Sequence, residues 1–306
     1  MATGLRRTLA AAGLTAAVLT AGAVVATSAR HVTTVALPRA AAAPPVPRST
    51  VSSSAVSPPD LPDPGDLADS VAAAVTARSP GTEVGLAVLD RKTGRTVAGT
   101  DAATPYYSAS VVKLLIALDF LYDGDSWEVP EGDDADALND LLAGSNDAVA
   151  SRLWEADGGT GIVDRMTDLL GLADTSPPSD PGQWGMTEMS PDDVVTTYQY
   201  LEDTVPDATA APLLAALADA RDPADDGYPQ YFGIPDGLPD SSWQVKQGWM
   251  ILRSALVLNT TGVVDSRYVV VLCTRQPAGT SSAAGRAAVT AGIEALAPGL
   301  AAWTAS

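Results

Sequence analysis

The sequence predicts a two-lobed domain of the α/β (α+β) class, and three observations carry the prediction. β-rich runs lie near both ends of the chain, at 83–89 and 95–98, and again at 243–247, 254–259 and 268–274. The middle, from Ser110 to about Leu217, reads as helices joined by polar loops. Helical segments at 67–78 and 285–296 bracket the whole. A sheet split between the two ends, with a helical insertion between them, places a cleft where the lobes meet.

Each element has its own signal. Leu67, Val71 and Val75 recur at helical spacing, and Ser79-Pro-Gly81 ends that helix. Residues 83–89 alternate apolar with small or polar side chains, and Thr93-Gly94 turns the chain into 95–98, which makes a β-hairpin. Turn residues separate the three C-terminal β runs. Ahead of the domain, Arg6 and Arg7 precede an apolar run at 9–26 and small residues at 27–29, so residues 1–29 read as a signal peptide, or as a membrane anchor given a length near the ~20 residues that span a bilayer. Residues 30–66 are rich in Ala, Pro and Ser without periodicity and read as a disordered linker. The domain is expected to run over 67–306 and to be secreted or extracytoplasmic.

Composition narrows the chemistry. Eighteen basic against 37 acidic residues give a net charge of −19, which repels nucleic acid and anionic lipid. No nucleic-acid partner is expected, membrane contact is expected only through the N-terminal segment, and a monomer is expected. Cys273 is the one cysteine, so no intrachain disulfide or cysteine metal cluster forms. His31 is the one histidine and precedes the folded part, which removes Ser-His-Asp and Cys-His devices and the commonest neutral zinc ligand. No metal and no cofactor is expected, and acyl-transfer chemistry needs another base.

Lysine occurs at only three positions, Lys92, Lys113 and Lys246. Lys92 sits in the hairpin turn, where a solvated charge is ordinary. Lys113 lies in Val111-Val-Lys-Leu-Leu-Ile-Ala-Leu118, a helix apolar nearly all round, and a buried ammonium is costly unless paired or deprotonated. Ser110 stands three residues earlier on the same helix face, where a desolvated lysine can take its proton. A capping serine beside a snorkelling lysine gives the same pattern. Ser145-Asn146-Asp147 follows a helical stretch in a Gly-containing turn and also suits a helix N-cap. Lys246-Gln247-Gly248 lies in a strand, where glycine permits close backbone approach and an edge lysine discourages aggregation.

Taken together and in this order, the three elements resemble the Ser-x-x-Lys, Ser-Asp-Asn and Lys-Thr-Gly set of class A β-lactamases and penicillin-binding proteins. The context is similar: Gly85-Leu-Ala-Val-Leu-Asp90 with Thr93-Gly94, then Pro105-Tyr-Tyr-Ser-Ala-Ser-Val-Val-Lys113, resembles the family's first hairpin and nucleophile helix, and Trp184-Gly-Met-Thr187 and Asn259-Thr-Thr-Gly-Val263 are similar to segments of actinobacterial β-lactamase-related serine hydrolases. The resemblance spans about residues 67–300. It implies a β-lactamase/transpeptidase-like domain with an antiparallel sheet, Ser110 as nucleophile, Lys113 as its base or relay and Ser145 as proton carrier to the leaving nitrogen. It further implies substrate binding by Asp147, Lys246, Gln247, Gly248 and Trp249, with an oxyanion hole from the backbone N–H groups of Ser110 and Trp249. The substrate class implied is a β-lactam or a D-Ala-D-Ala-like peptidoglycan amide. Two positions depart from the pattern: Asp147 stands where the family has Asn, which favours a charged Lys113, and Gln247 replaces a small hydroxyl residue. The loop at 174–187, where the family carries its deacylating glutamate, has no glutamate and offers Asp180 as the one carboxylate well inside it. The expected enzyme is therefore acylated faster than it is released. The alternative is a non-catalytic cell-wall or partner-binding module on the same fold.

Overall fold

Two sheet faces with different side-chain sets organise the domain. The computed structural model describes residues 61–306; the expected signal or anchor, His31 and all but the last residues of the expected linker lie outside the described residues. In chain order the elements are α1 (Pro64–Arg78), β1 (Glu83–Asp90), β2 (Arg95–Thr100), β3 (Tyr106–Tyr107), a 3-10 turn (Ala109–Val112), α2 (Lys113–Leu121), α3 (Asp133–Leu142), α4 (Asp147–Ala156) and α5 (Thr160–Leu170). A second 3-10 turn (Trp184–Met186), β4 (Glu188–Met189), α6 (Pro191–Asp203), α7 (Asp207–Ala218), α8 (Ile234–Gly237), β5 (Trp243–Ile251), β6 (Ala255–Val264), β7 (Tyr268–Pro277) and α9 (Ser282–Thr304) follow.

The main sheet has strand order β2-β1-β7-β6-β5, with every neighbouring pair antiparallel. Strands from the two ends of the sequence meet where β1 pairs with β7, in a register that places Gly85 opposite Cys273. Side chains alternate along each strand. On one face Leu86, Val88, Val270 and Leu272 pack with Val71 and Val75 of α1 and with Val289, Ile293 and Leu296 of α9. On the other, Ala87, Leu89, Val269, Val271 and Cys273 pack with the helical lobe, including Leu115, Leu118, Leu141 and Tyr198. The segment that carries Ser110 thus lies between sheet and helices, at the seam of the two lobes. Among the described residues no helix is long and apolar enough to cross a membrane.

Several bounds differ from those expected, for local reasons. α1 begins at Pro64 rather than Leu67, because Asp63 caps it through Gly65 and Asp66 and proline suits the first helical position. α9 extends to Thr304 through Pro298, because the buried face continues to Leu300 and Trp303. β6 continues past Asn259 through Thr260, Thr261 and Gly262, polar and glycine positions that read as the end of a strand. Those polar side chains are fully buried, and each has partners.

Two ion pairs, each on a buried carboxylate, brace the frame. Arg267 holds Asp90 through Nε and Nη2 at 3.0 and 2.9 Å at the β1–β7 end of the sheet, and keeps its carboxyl below the usual range. Arg165 of α5 holds Asp119 of α2 at 2.7 and 2.6 Å.

Candidate active site

The segment from Ser110 to Lys113 starts as a 3-10 turn, not as the α-helix expected. Ser110 lies in it and Lys113 is the first residue of α2. In a 3-10 turn residues i and i+3 eclipse, so the shared face survives the change. Ala109, immediately before the serine, has φ 48°, and Ser145 has φ 52°. Two non-glycine residues in the left-handed region at one site mark a backbone held there by its surroundings. At Ser145 the turn presents both carbonyl and hydroxyl to Lys113.

Lys113 is fully buried and its ammonium nitrogen donates to Ser145 O at 2.6 Å, Ser145 Oγ at 3.1 Å and Asp147 Oδ1 at 2.6 Å. Burial lowers its pKa, and the Asp147 carboxylate acts against that shift. The indole face of Trp184 lies 4.9 Å from the same nitrogen. Lys246, also buried, reaches the other side of Ser145 Oγ at 2.9 Å and the Gln247 carbonyl at 3.2 Å. Burial holds it well below the usual lysine range, and the charge of Lys113 adds to the effect. Ser145 therefore bridges two lysines, Lys113 lying 32 residues before it in the chain and Lys246 101 residues after it. The hydrogen bonds of both lysines bypass Ser110.

The second motif divides its labour. Asn146 is the N-cap of α4, its Oδ1 accepting from Val149 N at 3.0 Å, while Nδ2 donates to Asp225 at 2.8 Å. The capping interpretation of this motif holds for its middle residue; Ser145 and Asp147 face the lysine.

On the edge strand β5, Gly248 lets the strand close on the Ser110 turn: a Cβ there would lie 2.6 Å from Ser108 O and 3.2–3.3 Å from Val111 and Ala109 side-chain atoms. What glycine admits here is the protein's own backbone. Asn259 on β6 fixes the same turn from below, its Nδ2 donating to Tyr107 O at 2.9 Å and Ser108 O at 3.1 Å. Trp249 lines the cleft, stacks on Tyr228 at 4.8 Å and donates from Nε1 to Asp226 at 3.0 Å.

Gln247 corrects an expectation. It is fully buried, and its Nε2 donates to Gln230 O and Phe232 O at 3.1 and 2.7 Å. Strand alternation sends it away from Lys246, so it clamps the 230–232 loop and does not line the cleft. Asp180 is likewise not brought into the cleft. It is exposed, and its Oδ1 accepts from Gly182 N at 3.0 Å within its own turn. The loop around it is tied down by Asp193, which accepts from Ala173 N, Asp174 N and Thr175 Oγ1, and by Trp154 Nε1 donating to Pro181 O at 2.8 Å.

The resulting cleft, about 400 Å³, is lined by Ser110, Asp147, Trp184, Met186, Trp249 and Met250 among others. Asn259 and the indole of Trp184 escaped residue-by-residue reading, although both lie in segments that resembled family context. The acidic pair Asp225 and Asp226 carried no signal in the sequence.

No family model matches the sequence. Among curated proteins, "Putative lipoprotein LppW" of Mycobacterium tuberculosis and its counterpart in Mycobacterium bovis are each 38% identical over 231 residues, covering 72% of this chain and 72% of theirs. Among solved structures, PBP-A superposes with a TM-score of 0.63 at 17% identity, covering 79% of this chain and 99% of that one. A PBP-A variant solved as an acyl-enzyme complex with penicillin G superposes at 0.62 with 15% identity, over 79% and 99%. A class A β-lactamase from Bacteroides cellulosilyticus superposes at 0.59 with 15% identity, over 76% and 98%. The chain has the β-lactamase/penicillin-binding fold, and it belongs to the family of the mycobacterial LppW proteins.

Proposed function

We propose that the chain is a serine hydrolase that forms an acyl-enzyme at Ser110 with β-lactams or D-Ala-D-Ala-like peptidoglycan amides, and that it works outside the cytoplasm. The observation that carries this reading is Ser145 Oγ, held at 3.1 and 2.9 Å between two buried lysines, one of which bonds Asp147, a lining residue of the same cleft as Ser110. Buried lysines are costly to keep, and three sequence-distant motifs converge on one hydroxyl. A hydroxyl so placed carries protons between nucleophile, lysine and leaving nitrogen. The backbone N–H groups of Ser110 and Trp249 receive the developing oxyanion. Lys246 and the Ser145 hydroxyl, with Trp249, form the substrate-binding wall; Gln247 contributes only by fastening the loop behind it.

An extracytoplasmic location accords with the lipoprotein description of the mycobacterial relatives. In these 306 residues the one thiol, Cys273, is buried in β7, so it is not a lipid attachment point.

A labelled penicillin followed by mass spectrometry tests the reading. One adduct per chain, on Ser110 and absent in Ser110→Ala, is expected. A folded protein that takes no label from a β-lactam panel sinks it. The second reading, a non-catalytic wall-binding module, is favoured by the Lys113–Asp147 ion pair and by the diversion of Gln247. It predicts non-covalent peptidoglycan binding that Ser110→Ala leaves intact.

A further inference from the structure

Two lysines share one hydroxyl here, but only one has a carboxylate. Lys113 and Lys246 each bond Ser145 Oγ, at 3.1 and 2.9 Å, so their nitrogens lie within about 6 Å of each other in a buried site. Two ammonium groups so close, without water, repel unless each is compensated. Lys113 has Asp147 at 2.6 Å. Lys246 has a hydroxyl, the Gln247 carbonyl at 3.2 Å and the Trp249 ring at 5.9 Å. The charged groups that act on Lys246 are Lys113 at the head of α2, Asp147 on α4 and Asp226 in the 219–233 loop, and none of the carboxylates touches it. From α6, Tyr198 bonds Thr261, whose hydroxyl donates to the backbone carbonyl of Lys246 at 2.6 Å, and it also meets the Lys246 backbone directly.

We propose that Lys246, not Lys113, is the neutral amine of this site, and that it receives through Ser145 the proton Ser110 loses on attack, while Lys113 remains an ammonium paired with Asp147. The role in attack rests on the hydrolase reading; the charge assignment does not.

The hydrogen bonds then run one way. Lys113 donates to Ser145 Oγ and Lys246 to Gln247 O, and across the 2.9 Å contact, where a charged Lys246 would be the donor, Ser145 donates instead to the lone pair of the neutral amine. Burial and the neighbouring positive charge both push Lys246 toward the neutral form, and the carboxylate beside Lys113 pulls that residue the other way. In acylation Ser110 Oγ bonds the substrate carbonyl carbon, whose π pair moves to the oxygen. The Ser110 proton passes to Ser145 as the Ser145 proton passes to Lys246. On collapse the carbon–nitrogen bond breaks, the nitrogen takes a proton from Ser145, and Lys246 returns its proton to Ser145. The net proton count is zero. Ser110 joins this relay when substrate seats it, since catalytic hydrogen bonds commonly tighten only in the complex. Asp147, read as a substrate contact, is on this view the residue that sets which lysine carries charge.

The three lysines in 306 residues make the test direct. In protein labelled with 13C at the lysine ε carbon, three signals are expected, and Lys92→Arg removes the exposed one. At pH 7 one remaining signal sits at the neutral-amine position, moves to the ammonium position on acidification and is lost in Lys246→Met. The other is at the ammonium position at the same pH. A neutral signal that is lost in Lys113→Met instead, or two ammonium signals at pH 7, overturns the proposal. Either substitution alone assigns the pair, so one misfolded variant does not block the result. For the kinetic role, Lys246→Arg is expected to slow acylation at least tenfold more than Lys113→Arg, because arginine does not deprotonate; the reverse order overturns it. If wild type forms no adduct at all while the signals behave as expected, the hydrolase reading fails and the charge assignment stands.

Discussion

Gly248→Ala tests whether the edge strand and the nucleophile turn act as one unit. The added Cβ would sit 2.6 Å from Ser108 O, with Val111 and Ala109 atoms at 3.2 and 3.3 Å. Carbon–oxygen contacts ordinarily begin near ~3.3 Å, so strand and turn must part by roughly 0.7 Å. Neither side yields easily. The turn is pinned by Asn259 at Tyr107 O and Ser108 O, and β5 is paired along its length with β6. Overpacking of this kind costs about 1–3 kcal/mol, or a fall in Tm of roughly 2–4 °C per kcal/mol in a domain of this size. On the proposed function the larger effect falls on chemistry, because the two sides that separate carry the proposed Ser110 and Trp249 backbone donors. A misplacement approaching 1 Å costs on the order of 10²-fold in rate. The second-order rate of Ser110 acylation by a fluorescent penicillin, measured by stopped flow beside a thermal melt, should fall about 100-fold with only a modest drop in Tm. An acylation rate within twofold of wild type would refute the coupling of strand to nucleophile.

Three further outcomes follow from the same geometry. A mass-spectrometric time course with penicillin should show a burst of one equivalent and then slow turnover, because Asp180 lies outside the cleft and loss of a placed general base slows a step about 10²–10⁴-fold; rapid turnover without adduct would point to a base not identified here. Asp147→Asn should destabilise the fold by about 1–3 kcal/mol in urea titration, since it strands the buried Lys113, with the figure reduced from that of a fully buried pair because Asp147 is 61% exposed; an unchanged midpoint would mean Lys113 is neutral in wild type. Asp90→Asn should cost about 3 kcal/mol at neutral pH, where the Arg267 pair is intact. The folded carboxyl titrates below the unfolded one, so its contribution is full above the ordinary aspartate value and is lost as pH falls through the lower folded value. The gap between wild type and variant should therefore close below about pH 4, and a gap independent of pH would rule out the ion pair as its source.

The sequence carried more of the site than of its scaffolding, for physical reasons. Ser110, Lys113, Ser145, Asp147 and Lys246 were visible because a polar group in an apolar run demands a partner, and a chain with three lysines leaves few to consider. The sheet was visible through β-branched runs at both ends of the chain. Destinations of side chains that depend on another segment were not. Gln247 points to the 230–232 loop, and nothing in Lys246-Gln247-Gly248 itself encodes where that loop lies. Asn259 ended a strand on composition, yet it continues one, because its amide finds two carbonyls of a segment 151–152 residues away. Asp180 illustrates the converse: its place in the chain made it a base, but a Pro-Gly turn at its heels bends the carboxylate back onto Gly182.

The single thiol gives this protein an internal clock for its own opening. Cys273 sits in β7, between β1 and β6, is 3% exposed, and burial pushes its pKa up to about 12. A thiol-reactive dye meets neither access nor thiolate in the folded state. Labelling thus requires the centre of the sheet to come apart, and its rate reads the free energy of that event without denaturant. With no second cysteine to compete, each chain reports once, and ligands of the cleft can be ranked by how far they slow the dye.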